Sequence, residues 1–228
     1  MTNCAPQRKG ETAAEFHARM LEASPILPNG QPYGVAEFGG DVEQNPDCRR
    51  MATKLGNMAG GIRWRQTLEI GTGGGRWTRW IHPRTDHLLT VDASPKARLH
   101  IEALHLQPPP ICIVSKYGAL PTGKGSPLNS AFDLAFSYDT FVHLPRAIIT
   151  TYFRSVADAL RTGGFFVVHY GTRHQARADQ PIAESQHWTY VEPYWLNTQA
   201  AINQLDLIDS WTVSQGYGSA VTVYRKKG

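Results

Sequence analysis

Thr67-Leu-Glu-Ile-Gly-Thr-Gly-Gly-Gly-Arg-Trp-Thr78 decides the fold of this 228-residue chain. A short apolar run leads into Glu69-x-Gly71-x-Gly73-x-Gly75 and then into residues of helical character, a strand, a glycine turn and a helix in succession. Glycines in such a turn let the backbone come close to a nucleotide-like ligand, because a Cβ would stand in the ligand's space. They also serve ligand-free turns, so the segment gains weight only with a partner. That partner closes the next apolar run, Leu88-Leu-Thr-Val-Asp92: an acid 17 residues past Gly75, placed to take both hydroxyls of a ribose. Asp92-Ala-Ser-Pro95 also has the form of a helix start, and the two roles are compatible, with Asp92 on ribose and Ser94 at the cap.

Outward from this segment, short apolar runs alternate with helix-length stretches, the pattern of βα units and a mostly parallel sheet. Strands are expected near Thr67–Ile70, Leu88–Val91, Ile111–Val114, Phe132–Phe136 and Gly164–Tyr170, with helices over Arg76–Ile81, Lys96–His105 and Pro145–Leu160. In the last helix Ile148, Ile149, Tyr152, Phe153, Val156, Ala159 and Leu160 recur at helical spacing, and Gly163-Gly164 reads as its terminus. Leu205–Val213 and Ala220–Arg225, joined through Gln215-Gly-Tyr-Gly-Ser219, read as an antiparallel hairpin at one edge.

Residues 1–60 read as an N-terminal helical and loop cap region before a single unit over 61–228. The cap holds a short amphipathic helix over Glu11–Glu22 and a Pro/Gly-rich stretch between Pro25 and Pro46 suited to a flap over a ligand. Hydrophobic residues make up 41% and charged residues 18%, as for one globular core. No apolar run approaches a membrane span and no signal peptide is recognised, so a cytoplasmic protein without a membrane partner is expected. Cys4, Cys48 and Cys112 are widely spaced, and neither H-x-x-x-H nor H-E-x-x-H appears, so no obligatory metal is expected. With 23 Lys and Arg against 19 Asp and Glu, the net charge of +4 is too small an excess to argue for nucleic acid as a partner.

Four segments in order, Glu69-Ile-Gly-Thr-Gly-Gly-Gly75, Val91-Asp-Ala-Ser-Pro95, Phe132-Asp-Leu-Ala-Phe-Ser-Tyr-Asp139 and Leu160-Arg-Thr-Gly-Gly-Phe165, resemble the successive motifs of class I S-adenosylmethionine-dependent methyltransferases over about residues 66–170. The resemblance implies an α/β, Rossmann-like fold: a mostly parallel seven-stranded sheet with an antiparallel C-terminal hairpin and helices on both faces. It implies S-adenosyl-L-methionine as cofactor, held by Glu69, Gly71, Thr72, Gly73, Gly75, Trp77, Asp92, Ala93, Ser137 and Tyr138. In many relatives an acid before a Leu-Pro pair takes the adenine amino group. Here that segment is Ser115-Lys-Tyr-Gly-Ala-Leu-Pro121, and Lys116 cannot accept from an amine; the resemblance then implies either that the backbone around Tyr117 and Gly118 and an aromatic ring hold adenine, or that the local alignment is shifted by a residue.

Ser137-Tyr-Asp-Thr-Phe-Val-His143 lacks the Asn/Asp-Pro-Pro-aromatic tetrapeptide with which base N-methyltransferases grip an NH₂ group, and resembles bacterial small-molecule methyltransferases. The reaction expected is methyl transfer to a small molecule, a hydroxyl oxygen of a natural product, sugar or aromatic metabolite before a nitrogen. Such a hydroxyl must lose its proton, and His143 or His169 is the candidate base at the carboxyl edge of the sheet. Asp139 either binds the donor's amine or orients the base. Aromatic and polar groups at Tyr170, His174, His187, Trp188, Tyr190 and Tyr194 form either a substrate lid or a loop packed on its own rings. An RNA or protein methyltransferase and a non-catalytic S-adenosylmethionine-binding regulator are the alternatives, and a homodimer is left open.

Overall fold

The computed structural model describes residues 42–60, 63–115, 119–172, 189–213 and 218–228, together with Arg19. Apart from Arg19, the expected Glu11–Glu22 helix, all but the end of the Pro/Gly-rich stretch, and Gln215–Tyr217 of the hairpin turn therefore lie outside the described residues.

A 3₁₀ turn at Val42–Gln44 leads into α1, Pro46–Met58. Asn45 caps this helix: its side-chain oxygen accepts from the backbone N–H groups of Asp47 at 2.9 Å and Cys48 at 3.1 Å, and proline follows where no N–H is needed. The remaining elements are β1 Trp64–Ile70, α2 Arg76–Ile81, β2 Thr85–Asp92, α3 Pro95–Glu102, β3 Ile111–Val114, β4 Phe132–Ser137, α4 Arg146–Ala159, β5 Leu160–Gly171, α5 Pro193–Ile202, β6 Leu205–Val213 and β7 Ser219–Lys226.

The seven strands form one sheet in the order β3-β2-β1-β4-β5-β7-β6. The first five run parallel, whereas β7 is antiparallel to both β5 and β6. The order reverses between β1 and β4, so the connections after these neighbours diverge and leave a crevice at their carboxyl ends.

Helices cover both faces. On one, Ile149, Phe153 and Val156 of α4 and Leu196 of α5 pack on Leu68, Ile70, Phe166 and Val168, with the Phe153 and Phe166 rings edge to face at 5.2 Å. On the other, Met51 and Leu55 of α1 and Trp77 and Ile81 of α2 pack on Leu134, Phe136 and Val167. Strand β4 is buried along its whole length, as a central strand covered on both sides must be. The cost of burying its acid, Asp133, is met by the N–H groups of Arg65 at 2.7 Å and Gln66 at 2.9 Å and by an ion pair with Arg161.

Two sequence expectations need correction here. The helix before β5 ends at Ala159, and Gly163-Gly164 lies inside the strand rather than at a helix terminus. A Cβ on Gly164 would come within 2.9 Å of the Arg161 and Phe132 carbonyl oxygens, and the β4–β5 register shifts between Phe132 and Leu134, so these glycines serve an irregularity in the ladder. Tyr194, expected in a substrate lid or a loop packed on its own rings, lies instead in α5, Pro193–Ile202. At one end of the sheet β3 is only four residues long and follows Pro108-Pro109-Pro110; at the other lies the nine-residue β6.

Candidate functional site

The loop after β1 is fixed at both ends and open in the middle. The Gly71 N–H donates to the Val91 carbonyl at 2.7 Å, which ties the loop to the end of β2. Gly71, Gly73 and Gly75 all have positive φ, at 77°, 50° and 82°. A Cβ on Gly71 would fall on the Thr140 side chain, and one on Gly75 would come within 2.9 Å of Leu104 Cδ1 and 3.0 Å of Ile101 Cδ1. A Cβ on Gly73 would meet nothing within 4 Å. The outer two glycines therefore serve close packing within the protein, and the middle one borders open space.

Asp92 stands against this open position. Its Oδ2 accepts the Gly73 N–H at 3.0 Å and lies 3.4 Å from the Thr72 hydroxyl, while Oδ1 accepts the Ser94 N–H at 2.9 Å. Ser94 caps α3 by accepting from the Lys96 N–H at 3.2 Å, so the cap role falls on Ser94 rather than on Asp92. Burial pushes the Asp92 carboxyl above its ordinary range, against the opposing pull of the Ser94 and Gly73 N–H groups. Glu69 faces away from this edge: buried beneath the loop, it accepts from the Thr78 hydroxyl at 2.7 Å and ties β1 to α2. Burial pushes its carboxyl up to about 8.

The second half of the site lies at the ends of β4 and β5. The Ser137 hydroxyl donates to the Ile70 carbonyl at 2.9 Å and locks β4 to β1. Tyr138 stacks on His169 with centroids 4.4 Å apart. Asp139 has φ +57° and keeps 28% of its side chain exposed; its Oδ1 lies 3.0 Å from His169 Nδ1 and its Oδ2 is 4.0 Å from Arg76 Nη1. Burial raises the Asp139 carboxyl, but the His169 hydrogen bond and the charges of His169, Arg76 and His143 outweigh it and hold the group below its ordinary range. A proton on His169 Nδ1 serves the Asp139 carboxylate; without it, Nδ1 accepts the Asp139 backbone N–H, 3.2 Å away. His169 itself is 2% exposed. His143 ends the 3₁₀ turn Phe141–His143 and is also buried.

Asp92, Asp139, His143 and His169 thus gather with the glycine loop along one edge of the sheet. Other expected residues lie elsewhere. Trp77 is a core residue packed on Phe136 at 4.7 Å and Tyr138 at 5.3 Å between ring centroids, so its expected cofactor contact is replaced by packing under α2. Tyr170, expected at the substrate, is 1% exposed and its hydroxyl meets the Thr222 hydroxyl at 3.4 Å, because its position on β5 points into the layer beneath α4. Tyr194, also expected there, is 84% exposed on the first turn of α5. Tyr190 does lie at the edge: it bridges Gly171, the preceding Thr189 N–H donates to the Val142 carbonyl at 2.5 Å, and the Val191 N–H donates to Gly171 at 3.0 Å. Tyr117, Gly118, His174, His187 and Trp188 lie outside the described residues.

Three participants escaped the sequence reading. Arg76 follows the glycines directly and reaches Asp139, Cys48 on α1 receives the Arg76 guanidinium at 3.6 Å, and Thr140 fills the space over Gly71. The signal for Arg76 was its place immediately after Gly75.

An open glycine, an acid hydrogen-bonded to that glycine's N–H, and a crevice between β1 and β4 fit a nucleoside, with Asp92 the group that would take its ribose hydroxyls. Residues 67–164 match the family model for a methyltransferase domain. The whole fold resembles the N-methyltransferase NodS from Bradyrhizobium japonicum in complex with S-adenosyl-L-homocysteine, at 17% identity and a TM-score of 0.65 over 94% of this chain and 98% of that one. A TehB-like SAM-dependent methyltransferase from Corynebacterium glutamicum is similar at 19% identity and a TM-score of 0.57, over 85% and 92% of the two chains. The Burkholderia thailandensis 1,6-didemethyltoxoflavin-N1-methyltransferase is similar at 18% identity and a TM-score of 0.57, over 78% of each. Among curated proteins no sequence matches this chain.

The fold is Rossmann-like, the fold of the methyltransferases it resembles. No described helix is long and apolar enough to cross a membrane.

Proposed function

We propose that the chain transfers the methyl group of S-adenosylmethionine to a small molecule, at a hydroxyl oxygen of a natural product, sugar or aromatic metabolite. The observation that carries this reading is the meeting, at the carboxyl edge of β1 and β4, of the open glycine loop with the Asp139–His169 pair and His143. S-adenosylmethionine supplies an electrophilic methyl on a positively charged sulfur, open to in-line attack by the acceptor. Asp92 and the backbone at Gly73 fix the ribose end. The rigid edge made by the Ser137 bond to Ile70 and by Thr140 over Gly71 keeps the reacting groups from drifting apart, and such positioning supplies much of the rate of a displacement.

A hydroxyl loses its proton as its oxygen attacks, and His143 is the candidate to receive it. His169, buried and stacked on Tyr138, acts through Asp139 and is a positioning residue. A second reading, transfer to an amine, is favoured by the two N-methyltransferases among the similar structures. A neutral amine attacks with its own lone pair and depends less on a base.

Incubation with S-adenosylmethionine and separate panels of hydroxyl and amine metabolites, followed by S-adenosylhomocysteine release and product mass, tests both. Turnover confined to hydroxyls and reduced at least tenfold by His143→Ala supports the first reading. Turnover confined to amines and indifferent to His143→Ala replaces it with the second. Donor binding without turnover on either panel removes the small-molecule reading.

A further inference from the structure

We infer that the short segment Thr189–Glu192 is a strap that holds His143 in place on the acceptor side, which makes Gly171 and Thr189 positioning residues for His143. The inference rests on the role given to His143 in the hydroxyl-transfer reading above and adds how the fold keeps that side chain where it is.

Gly171, the last residue of β5, gives the first sign. Its φ lies outside the left-handed range, so the backbone there does not require glycine, and a glycine in a strand forgoes packing and ordering. Space requires it instead. A Cβ on Gly171 would lie 2.6 Å from the Thr189 carbonyl oxygen, a backbone atom that cannot swing aside, and 3.5 Å from the Tyr190 ring. The strap therefore lies directly against the end of β5. Tyr190 bridges Gly171 there, and the Val191 N–H donates to the Gly171 carbonyl at 3.0 Å.

The same few residues are tied to the segment that carries His143. The Thr189 N–H donates to the Val142 carbonyl at 2.5 Å, and the Glu192 carboxylate pairs with Arg146 at the start of α4. His143 lies between these two ties. On its other flank Thr140 sits over Gly71, and Phe141 is buried with its ring 5.9 Å from that of Phe166. A stretch held at residues 140, 141, 142 and 146 leaves the His143 backbone little freedom. Such precision matters for proton transfer, since a displacement of about 1 Å can cost on the order of 100-fold in rate. A side chain at Gly171 would push the strap from β5 and, through Val142, move the turn that ends in His143.

Two variants test this: Gly171→Ala, and Thr189→Pro, which removes the N–H that Val142 accepts and adds nothing over Gly171. The first readout needs no acceptor. The His143 ring signals in NMR spectra, assigned by their loss in His143→Ala, should shift in both variants, while S-adenosylhomocysteine binds within about twofold of wild type by calorimetry. The second readout is kcat with catechol and with methyl glucoside. Gly171→Ala should lower it at least about tenfold, yet cost less than about twofold in a chain already carrying His143→Ala, because a base that is absent cannot be displaced. Circular dichroism checks the fold; if Gly171→Ala does not fold, Thr189→Pro carries both readouts.

The inference is overturned if the His143 signals stay in place in the folded variants, or if the losses in kcat multiply in the double variant, as independent structural damage would. If wild type binds S-adenosylhomocysteine but methylates neither probe, the hydroxyl reading loses its support; shifted His143 signals then still uphold the strap, and unshifted ones overturn it.

Discussion

Replacing Glu69 by glutamine should stabilise the protein, and by more as the pH rises. The Glu69 carboxyl is buried beneath the glycine loop, accepts from the Thr78 hydroxyl at 2.7 Å, and is pushed up to about 8, chiefly by burial, from an ordinary value of 4.5. The sign follows from proton counts. Between about pH 4.5 and 8 the folded chain holds a proton that the unfolded chain has released, so folding loses stability as pH rises through that window and is unaffected below it. At ~1.4 kcal/mol per pH unit the ceiling is about 5 kcal/mol, and water reaching the ionised group reduces this to roughly 2 to 5. Glutamine keeps the acceptor for Thr78 and removes the titration. For a chain of this length, ~1 kcal/mol corresponds to about 2–4 °C. Melting curves of wild type and Glu69→Gln at about pH 5 and pH 9 should therefore diverge by ~5–15 °C in favour of the variant at the higher pH. A difference between the two proteins that is the same at both pH values would refute the reasoning.

The two glycines should separate packing from binding. Gly71→Ala places a Cβ on Thr140 at φ +77° and should cost about 2–4 kcal/mol in chemical denaturation, partly recovered in the double variant with Thr140→Ala, whereas Gly73→Ala, facing open space, should cost ~1 kcal/mol yet weaken S-adenosylhomocysteine at least tenfold by calorimetry. Tyr170→Phe should change stability by less than about 1 kcal/mol and leave KM for the acceptor unchanged, because the tyrosine bonds Thr222 in the core; Tyr190→Ala, at the β5 edge, should raise that KM severalfold. On a hydroxyl acceptor His143→Ala should lower kcat at least tenfold, while His169→Ala should act through Asp139, destabilising the fold by about 1–3 kcal/mol and shifting the pH profile of turnover.

The parallel core of the fold was legible because each strand announces itself by an apolar run and each crossover by a change of period. Thr67–Ile70, Leu88–Val91 and Phe132–Phe136 fall inside the observed strands, and the hairpin of β6 and β7 forms where it was expected. What escaped was helical. In α1, Cys48, Met51, Ala52 and Leu55 keep a helical stripe behind a good cap at Asn45, but preceding prolines and glycines masked it. In α5, Tyr194 reads from sequence as a ring of a lid or packed loop, although Leu196 and Ala200 are four residues apart on the buried face. The candidate site was half legible. Asp92 and the glycines are local in sequence and announce their chemistry. Arg76, Cys48 and Thr140 acquire theirs only when the reversal between β1 and β4 brings distant connections together, which spacing along the chain does not encode.

The two margins of the sheet bear on how the protein behaves when crowded with copies of itself. An incoming strand extends a sheet by exchanging N–H and C=O groups along an open margin. At β3 it would find four residues behind three consecutive prolines that have no N–H to offer. At β6 it would find nine residues and the exposed Leu207 and Ile208, guarded by Asp206 and Asp209, which pair with Lys227 and Lys54. One margin is closed by missing donors and the other by charge, and only the charge can be removed by substituting side chains. Asp206→Asn together with Asp209→Asn leaves the proline-led margin as it was and bares the other, so light scattering of that variant should exceed that of wild type, and adding Leu207→Lys and Ile208→Lys should suppress it.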